Sequence, residues 1–215
     1  MVIFHFCYDL NYFRFISIHQ HQDLFWLSFR WLIVSMFLFA AGISLVIVYG
    51  KGIRFFHLLK RLAILGGAAL AVTAATYLVF PKAWVYFGIL HLIFVSTILG
   101  LLFVSKAKTS FLVGIAILLA YWSGIWTETG TFRLLRPLLH LPRYTVDLAP
   151  LLPWFGVFLL GIAFASAGLH IRIETHLPAH PFPLLRQAGR HSLAIYLLHQ
   201  PLLFGLLFLL WKFQG

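Results

Sequence analysis

The feature that most constrains this chain is a series of apolar runs long enough to cross a lipid bilayer. Of its 215 residues, 62% are hydrophobic and 10% are charged, which is far from the balance of a domain whose surface must stay hydrated. A membrane crossing takes about 20 apolar residues, and inside lipid a helix satisfies its own backbone hydrogen bonds. The sequence therefore predicts an all-α fold: a polytopic transmembrane bundle of about six to seven helices.

The apolar runs divide the chain into segments joined by short polar or basic connections. They lie at residues 1–16, 24–49, 62–80, 84–104, 111–126, 151–169 and 191–211. The first run is short for a crossing, so we expect it to be the outer part of a helix whose start is missing. Because no stretch remains for a separate soluble domain, residues 1–215 are expected to form a single transmembrane domain.

Basic residues concentrate in the connections between the apolar runs. The net charge is +11, and a basic loop follows the second run at Lys51, Arg54, Lys60 and Arg61. Such residues set membrane topology and attract anionic headgroups, so membrane lipids are expected partners and nucleic acid is not. The basic loop and the turn at residues 105–110 are expected in the cytoplasm. The long loop at residues 127–150 would then recognise polar ligands outside.

Ionisable side chains inside the apolar runs are the main candidates for chemistry, because they are costly in lipid and usually face the interior of a bundle. His5 and Asp9 are four residues apart and share one helix face. A carboxylate beside an imidazole prepares a general base. The alternative is a hydrogen-bonded pair that anchors the helix end. Asn11 lies close to this pair, one step around the helix.

Three further polar residues lie in the second, fourth and last runs. Arg30 either extends to the membrane surface or faces the bundle, where its guanidinium suits a carboxylate or a phosphate. His91 is either a binding residue or a core histidine bonded to one neighbour. His199 precedes Gln200 and Pro201, and a proline frees a backbone carbonyl, which membrane helices tolerate beside a cavity. These residues are candidates for ligand binding.

The sequence offers little for a metal site. His19 and His21 have a His-x-His spacing next to Asp23, but with no further ligand nearby a hydrated loop is the simpler interpretation. The one cysteine, Cys7, provides neither a disulfide nor a cysteine-rich metal site. We therefore predict no metal.

Several segments together resemble a known family. They are HFCYDLNYF, FLFAAGISL, YFGILHLI, PLLPWFGVFLLGIA and GRHSLAIYLLHQPLL. In order and spacing they are similar to compact bacterial members of the heparan-alpha-glucosaminide N-acetyltransferase catalytic-domain family. The resemblance implies an acyltransferase of the bacterial inner membrane. In such an enzyme, cytoplasmic acetyl-CoA donates an acetyl group to an amine or hydroxyl of a sugar or cell-envelope acceptor.

The resemblance also implies roles for individual residues. In the lysosomal relatives, an Asn in the first helix and a His in the following connection are associated with catalysis, and these positions fall near His5 and at His21. We therefore predict catalytic roles for His5, Asp9 and His21. Substrate or coenzyme A binding is predicted for Asn11, Arg30, His91 and His199.

Two other functions fit the same residues. A transporter or flippase of a lipid-linked or small polar substrate would line its path with them, although we find no internal repeat of the kind that builds many transporters. Paired membrane histidines also ligate haem, but no two histidines are spaced along one helix to serve stacked haems. An oligomer is compatible with the sequence.

Overall fold

The chain folds into helices, as its composition predicts. The computed structural model describes residues 1–19, 22–125, 136–176 and 183–214, and these residues form nine helices and no strand. The helices are α1 (Val2–Tyr12), α2 (Leu24–Tyr49), α3 (Phe55–Val79), α4 (Ile89–Gly100), α5 (Ala107–Trp122), α6 (Leu151–Ser166), α7 (Leu169–His176), α8 (Pro183–Arg190) and α9 (Ser192–Gln214). The predicted all-α class is confirmed.

Three of the described helices are long and apolar enough to cross a membrane. α2 has 26 residues, α3 has 25, and the apolar stretch of α9 has 22, against the roughly 20 that a crossing needs. α4, α5 and α6 are also apolar but shorter. The chain is an integral membrane protein built as a helical bundle.

The helices begin away from the predicted apolar runs at three places: α3, α4, which begins at Ile89 and not at residue 84, and α5, which begins at Ala107 and not at residue 111. The second predicted run coincides with α2, whereas α3 begins at Phe55 and not at residue 62. Lys60 and Arg61 therefore lie inside a helix, and their assignment to a loop was wrong. The guanidinium Nη1 of Arg61 donates to Ser44 Oγ at 3.4 Å, and its aliphatic stem can cover apolar surface while the charge reaches a polar partner.

The chain divides into two compact units, which are described separately. Unit 1 comprises Met1–Ile33 and Leu177–Gly215, and unit 2 comprises Val34–His176. In unit 1, α1 packs against α9, and the rings of Phe13 and Phe204 are 4.9 Å apart. In unit 2, α6 packs against α5 and α4, and α3 packs against α4.

Helix α6 is the centre of unit 2, where Phe158, Leu159 and Ile162 are fully buried. Its backbone comes close to that of α5 at a pair of glycines. A Cβ atom built on Gly156 would lie 2.9 Å from the carbonyl oxygen of Gly114, and one built on Gly114 would lie 2.9 Å from the carbonyl oxygen of Gly156. Lipid supplies no hydrophobic force between helices, so this close packing is a main source of their association.

Candidate functional site

Within unit 1, helix α1 carries two ionisable side chains, those of His5 and Asp9. Asp9 is completely buried, and His5, one turn earlier, is partly buried. The His5 ring lies 5.0 Å from the His199 ring on α9, measured between centroids, with the planes inclined by 59°. The pairing of α1 with α9 thus brings together two of the histidines that the sequence singled out.

His199 is fixed by its own helix. It is only 8% exposed, and its Nδ1 lies 3.0 Å from the carbonyl oxygen of Ile195 and 2.7 Å from that of Tyr196. A carbonyl oxygen only accepts, so Nδ1 carries the hydrogen and Nε2 of the neutral ring holds a lone pair. Within the described part of the chain, this buried Nε2 has no hydrogen-bond partner.

Gln200 links α9 to the buried carboxylate of α1. Its Nε2 donates to Asp9 Oδ1 at 2.9 Å. Among the described residues, neither Asp9 Oδ2 nor Gln200 Oε1 has a hydrogen-bond partner. The Asp9 carboxylate therefore holds Gln200, and not the His5 imidazole that the spacing alone suggested. The catalytic roles of His5 and Asp9 stay predictions.

His5, Asp9, His199 and Gln200 form what we call the His199 cluster. It presents three buried atoms without a partner among the residues described: Asp9 Oδ2, His199 Nε2 and Gln200 Oε1. Each accepts hydrogen bonds when the carboxylate is ionised and the imidazole is neutral. Buried polar atoms are usually paired, so a set of unpaired acceptors is suited to a ligand that carries N–H or O–H groups.

Arg30 and Asn11 also lie in unit 1, with different surroundings. Arg30 lies in the part of α2 that belongs to unit 1. Asn11 Oδ1 accepts a hydrogen bond from the backbone N–H of Ile18 at 2.9 Å, and this bond closes the turn that follows α1. The predicted binding roles of both residues remain untested. His21 lies outside the described residues, as do residues 126–135 of the outer loop.

His91 belongs to unit 2, where both of its ring nitrogens have local partners. The backbone N–H of Gly88 donates to Nδ1 at 3.3 Å, so Nε2 carries the hydrogen of the neutral ring and donates to Thr73 Oγ1 at 3.2 Å. The Thr73 hydroxyl in turn donates to the carbonyl oxygen of Val85 at 2.8 Å. These bonds tie the start of α4 to α3. The predicted role of His91 in ligand binding stays a prediction.

Unit 2 also joins two basic turns at one end. The Ser105 hydroxyl donates to the carbonyl oxygen of Gly50 at 3.3 Å, which brings two basic turns together. Exposed basic residues lie at both turns: Lys51 and Arg54 at one, and Lys106 with Lys108, in the first turn of α5, at the other. Helices α3 and α5 begin at these turns, and neither has an acidic residue in its first turn. Since helix N-termini are electropositive, this end of unit 2 attracts polyanions.

The apolar helices and the buried polar cluster define a polytopic membrane protein that carries polar chemistry in its interior. The family model described as heparan-alpha-glucosaminide N-acetyltransferase, catalytic, matches residues 1–201, and the chain belongs to this family. Its function is therefore of the membrane acetyltransferase type, and the resemblance inferred from the sequence segments is confirmed. No curated protein and no solved structure is significantly similar to the chain.

Gln200 is the residue of the cluster that sequence reasoning missed. It was noted only as a neighbour of His199, and nothing in the sequence connects it to Asp9, which is 191 positions away. The His-Gln-Pro run itself could have marked Gln200. An amide in an apolar helix, next to a carbonyl left unpaired by a proline, needs a polar partner.

Proposed function

We propose that this protein transfers an acetyl group from acetyl-CoA to an amine or hydroxyl of a sugar or another cell-envelope acceptor, at the bacterial inner membrane and within a single transmembrane domain. The observation that carries the proposal is the His199 cluster, in a chain whose family is named for N-acetyl transfer. The unpaired atoms of the His199 cluster accept hydrogen bonds. They suit the N–H or O–H group of the acetyl acceptor, which must lose a proton during acyl transfer.

The chemistry requires a base for the acceptor proton and a site for the acyl donor. A general base positioned within hydrogen-bond reach contributes about 10²–10⁴ in rate, and the cluster holds His5 and His199 for this task. Asp9 would orient the acceptor, and Arg30 would stabilise negative charge that develops nearby. His21 and Asn11 are kept as candidates from the family resemblance and from their position next to α1.

Coenzyme A is a polyanion, and the joined basic turns of unit 2 support its binding. Lys51, Arg54, Lys106 and Lys108 are exposed, and their positive potential raises the local concentration of an anionic ligand. His91 lies in the same unit and is kept as a candidate for binding of substrate or coenzyme A.

The test is acetyl transfer by the full chain reconstituted in lipid nanodiscs. With radiolabelled acetyl-CoA and a panel of amino sugars and neutral sugars, we expect release of free coenzyme A in equal amount to labelled product. Asp9→Asn is expected to reduce transfer while acetyl-CoA still binds, because the substitution removes charge from the cluster.

A folded protein that transfers no acetyl group to any acceptor, and that carries a labelled sugar into liposomes without acetyl-CoA, would instead be a transporter. That outcome would overturn the proposal.

A further inference from the structure

We propose that His199, through Nε2, is the residue that takes the proton from the acceptor during acyl transfer. The inference rests on the proposed function and assigns a division of labour between the two histidines that the structure places side by side. In it, His199 is the catalytic base, and His5 shapes the site around it.

The hydrogen bonds of His199 prepare it for this role. Both Ile195 and Tyr196 offer carbonyl oxygens to Nδ1, so the ring holds its hydrogen on that nitrogen and points the Nε2 lone pair away from its own helix. The carbonyl oxygens that accept from Nδ1 also stabilise the imidazolium that forms when Nε2 takes a proton, as a hydrogen-bonded group does for other histidine bases. The tautomer is thus set before any ligand arrives.

His5 lacks such preparation. Its ring contacts Phe4 edge-on and His199 at an inclined angle, and these ring contacts do not fix which of its nitrogens carries the hydrogen. His5 packs against the ring of His199 and restricts its position.

The neighbours of His199 add further hydrogen-bonding atoms to the cluster. Gln200 is the next residue in the chain, and its amide holds the Asp9 carboxylate at 2.9 Å. Asp9 Oδ2 and Gln200 Oε1 remain as acceptors for further N–H or O–H groups of the same ligand. These atoms all accept hydrogen bonds, so the cluster binds the molecule that receives the acetyl group. It does not bind the phosphates of coenzyme A, which the carboxylate would repel.

The reaction step balances within this arrangement. The acceptor nitrogen or oxygen attacks the thioester carbon as its proton passes to His199 Nε2, and a new C–N or C–O bond forms. The tetrahedral intermediate collapses with cleavage of the C–S bond, and the thiolate of coenzyme A receives the proton that Nε2 carries. The net products are the acetylated acceptor and free coenzyme A, with His199 neutral again.

The decisive variant is His199→Asn in nanodiscs. The Asn amide nitrogen stands near the position of Nδ1 and can still donate to the two carbonyls, but the side chain has no counterpart of Nε2. We expect kcat to fall at least about 100-fold, with KM for acetyl-CoA within about threefold of wild type. The acid limb of the pH–rate profile should disappear, because the group that takes the proton is gone. A purely structural role would not remove that limb.

Matched variants separate the two histidines. His5→Asn should lower kcat less than about tenfold and retain the acid limb, and His191→Asn, an exposed position at the start of α9, should behave as wild type. In His199→Gly, added imidazole should restore part of the activity, since it supplies the missing base.

The outcomes distinguish this inference from the proposed function. Wild-type protein without transfer activity defeats both. Active wild type with His199→Asn within about tenfold of its kcat, or with the acid limb lost in His5→Asn instead, overturns only the assignment of His199. If His199→Asn fails to insert, the imidazole response of His199→Gly decides, and the absence of any response rejects the assignment.

Discussion

Replacing Gly156 with alanine tests whether close backbone packing holds α5 and α6 together. The added Cβ would lie 2.9 Å from the carbonyl oxygen of Gly114 and 3.2 Å from side-chain atoms of both Ile117 and Leu118. Two of these neighbours are branched side chains and one is backbone, so no flexible chain end can move aside. The helices must separate by a few tenths of an ångström.

The expected cost follows from two opposing contributions. Forcing a methyl group into a filled contact destabilises by about 1–3 kcal/mol, while the better helix propensity of alanine returns about 0.5–1 kcal/mol. The midpoints of these ranges leave a net loss of about 1 kcal/mol, and their extremes a loss of about 0–2.5 kcal/mol. For a chain of this size, each kcal/mol moves the unfolding midpoint by about 2–4 °C, so the variant should unfold roughly 2–4 °C lower.

The assay is thermal unfolding in nanodiscs, followed by tryptophan fluorescence. Gly67→Ala is the matched control, because Gly67 lies in α3 and a Cβ there would have no atom within 4 Å. It should keep or raise the midpoint through helix propensity alone. The double variant Gly114→Ala with Gly156→Ala should lose less than the sum of the single variants, because both methyl groups enter one gap. If Gly156→Ala unfolds at or above the midpoint of Gly67→Ala, the packing argument is refuted.

Two further predictions concern unit 2. Thr73→Val removes the hydroxyl between His91 and the carbonyl oxygen of Val85 and leaves partly buried groups unpaired. The free energy of unfolding should therefore fall by about 1–3 kcal/mol. An unchanged unfolding midpoint would show that water replaces the bonds. Lys106→Glu with Lys108→Glu should weaken acetyl-CoA binding at least about tenfold in low salt, with a smaller effect in high salt. Calorimetric titration measures this, and equal affinities would remove the turn from coenzyme A binding.

The sequence predicted the long helices where hydropathy and chain breaks agree. The run at residues 24–49 is bounded by Asp23 and by Gly50, and α2 has the same limits. At α3 the two signals disagree, because the charges of Lys60 and Arg61 placed the start of the apolar run at residue 62, whereas the helix begins at Phe55. Hydropathy along the sequence carries no information about the hydrogen bond from Arg61 to Ser44 on another helix.

The candidate site was predicted in its parts but not in its pairing. Periodicity places His5 and Asp9 on one face, and lipid makes a charge such as Asp9 informative. The pairing of Asp9 with Gln200 could not be predicted in this way, because the two residues lie far apart in the sequence and local spacing does not relate them. The tautomer of His199 likewise depends on the carbonyl oxygens of Ile195 and Tyr196, which a list of residue types does not contain.

The bond between Asp9 and Gln200 has a consequence for biosynthesis. α1 precedes α9 in the chain, so Asp9 is synthesised 191 positions before its amide partner Gln200. Unit 1 is discontinuous in the chain, and contacts between distant segments close late. The bond between Asp9 and Gln200 therefore forms only after α9 has been synthesised, and a chain interrupted before α9 would lack it.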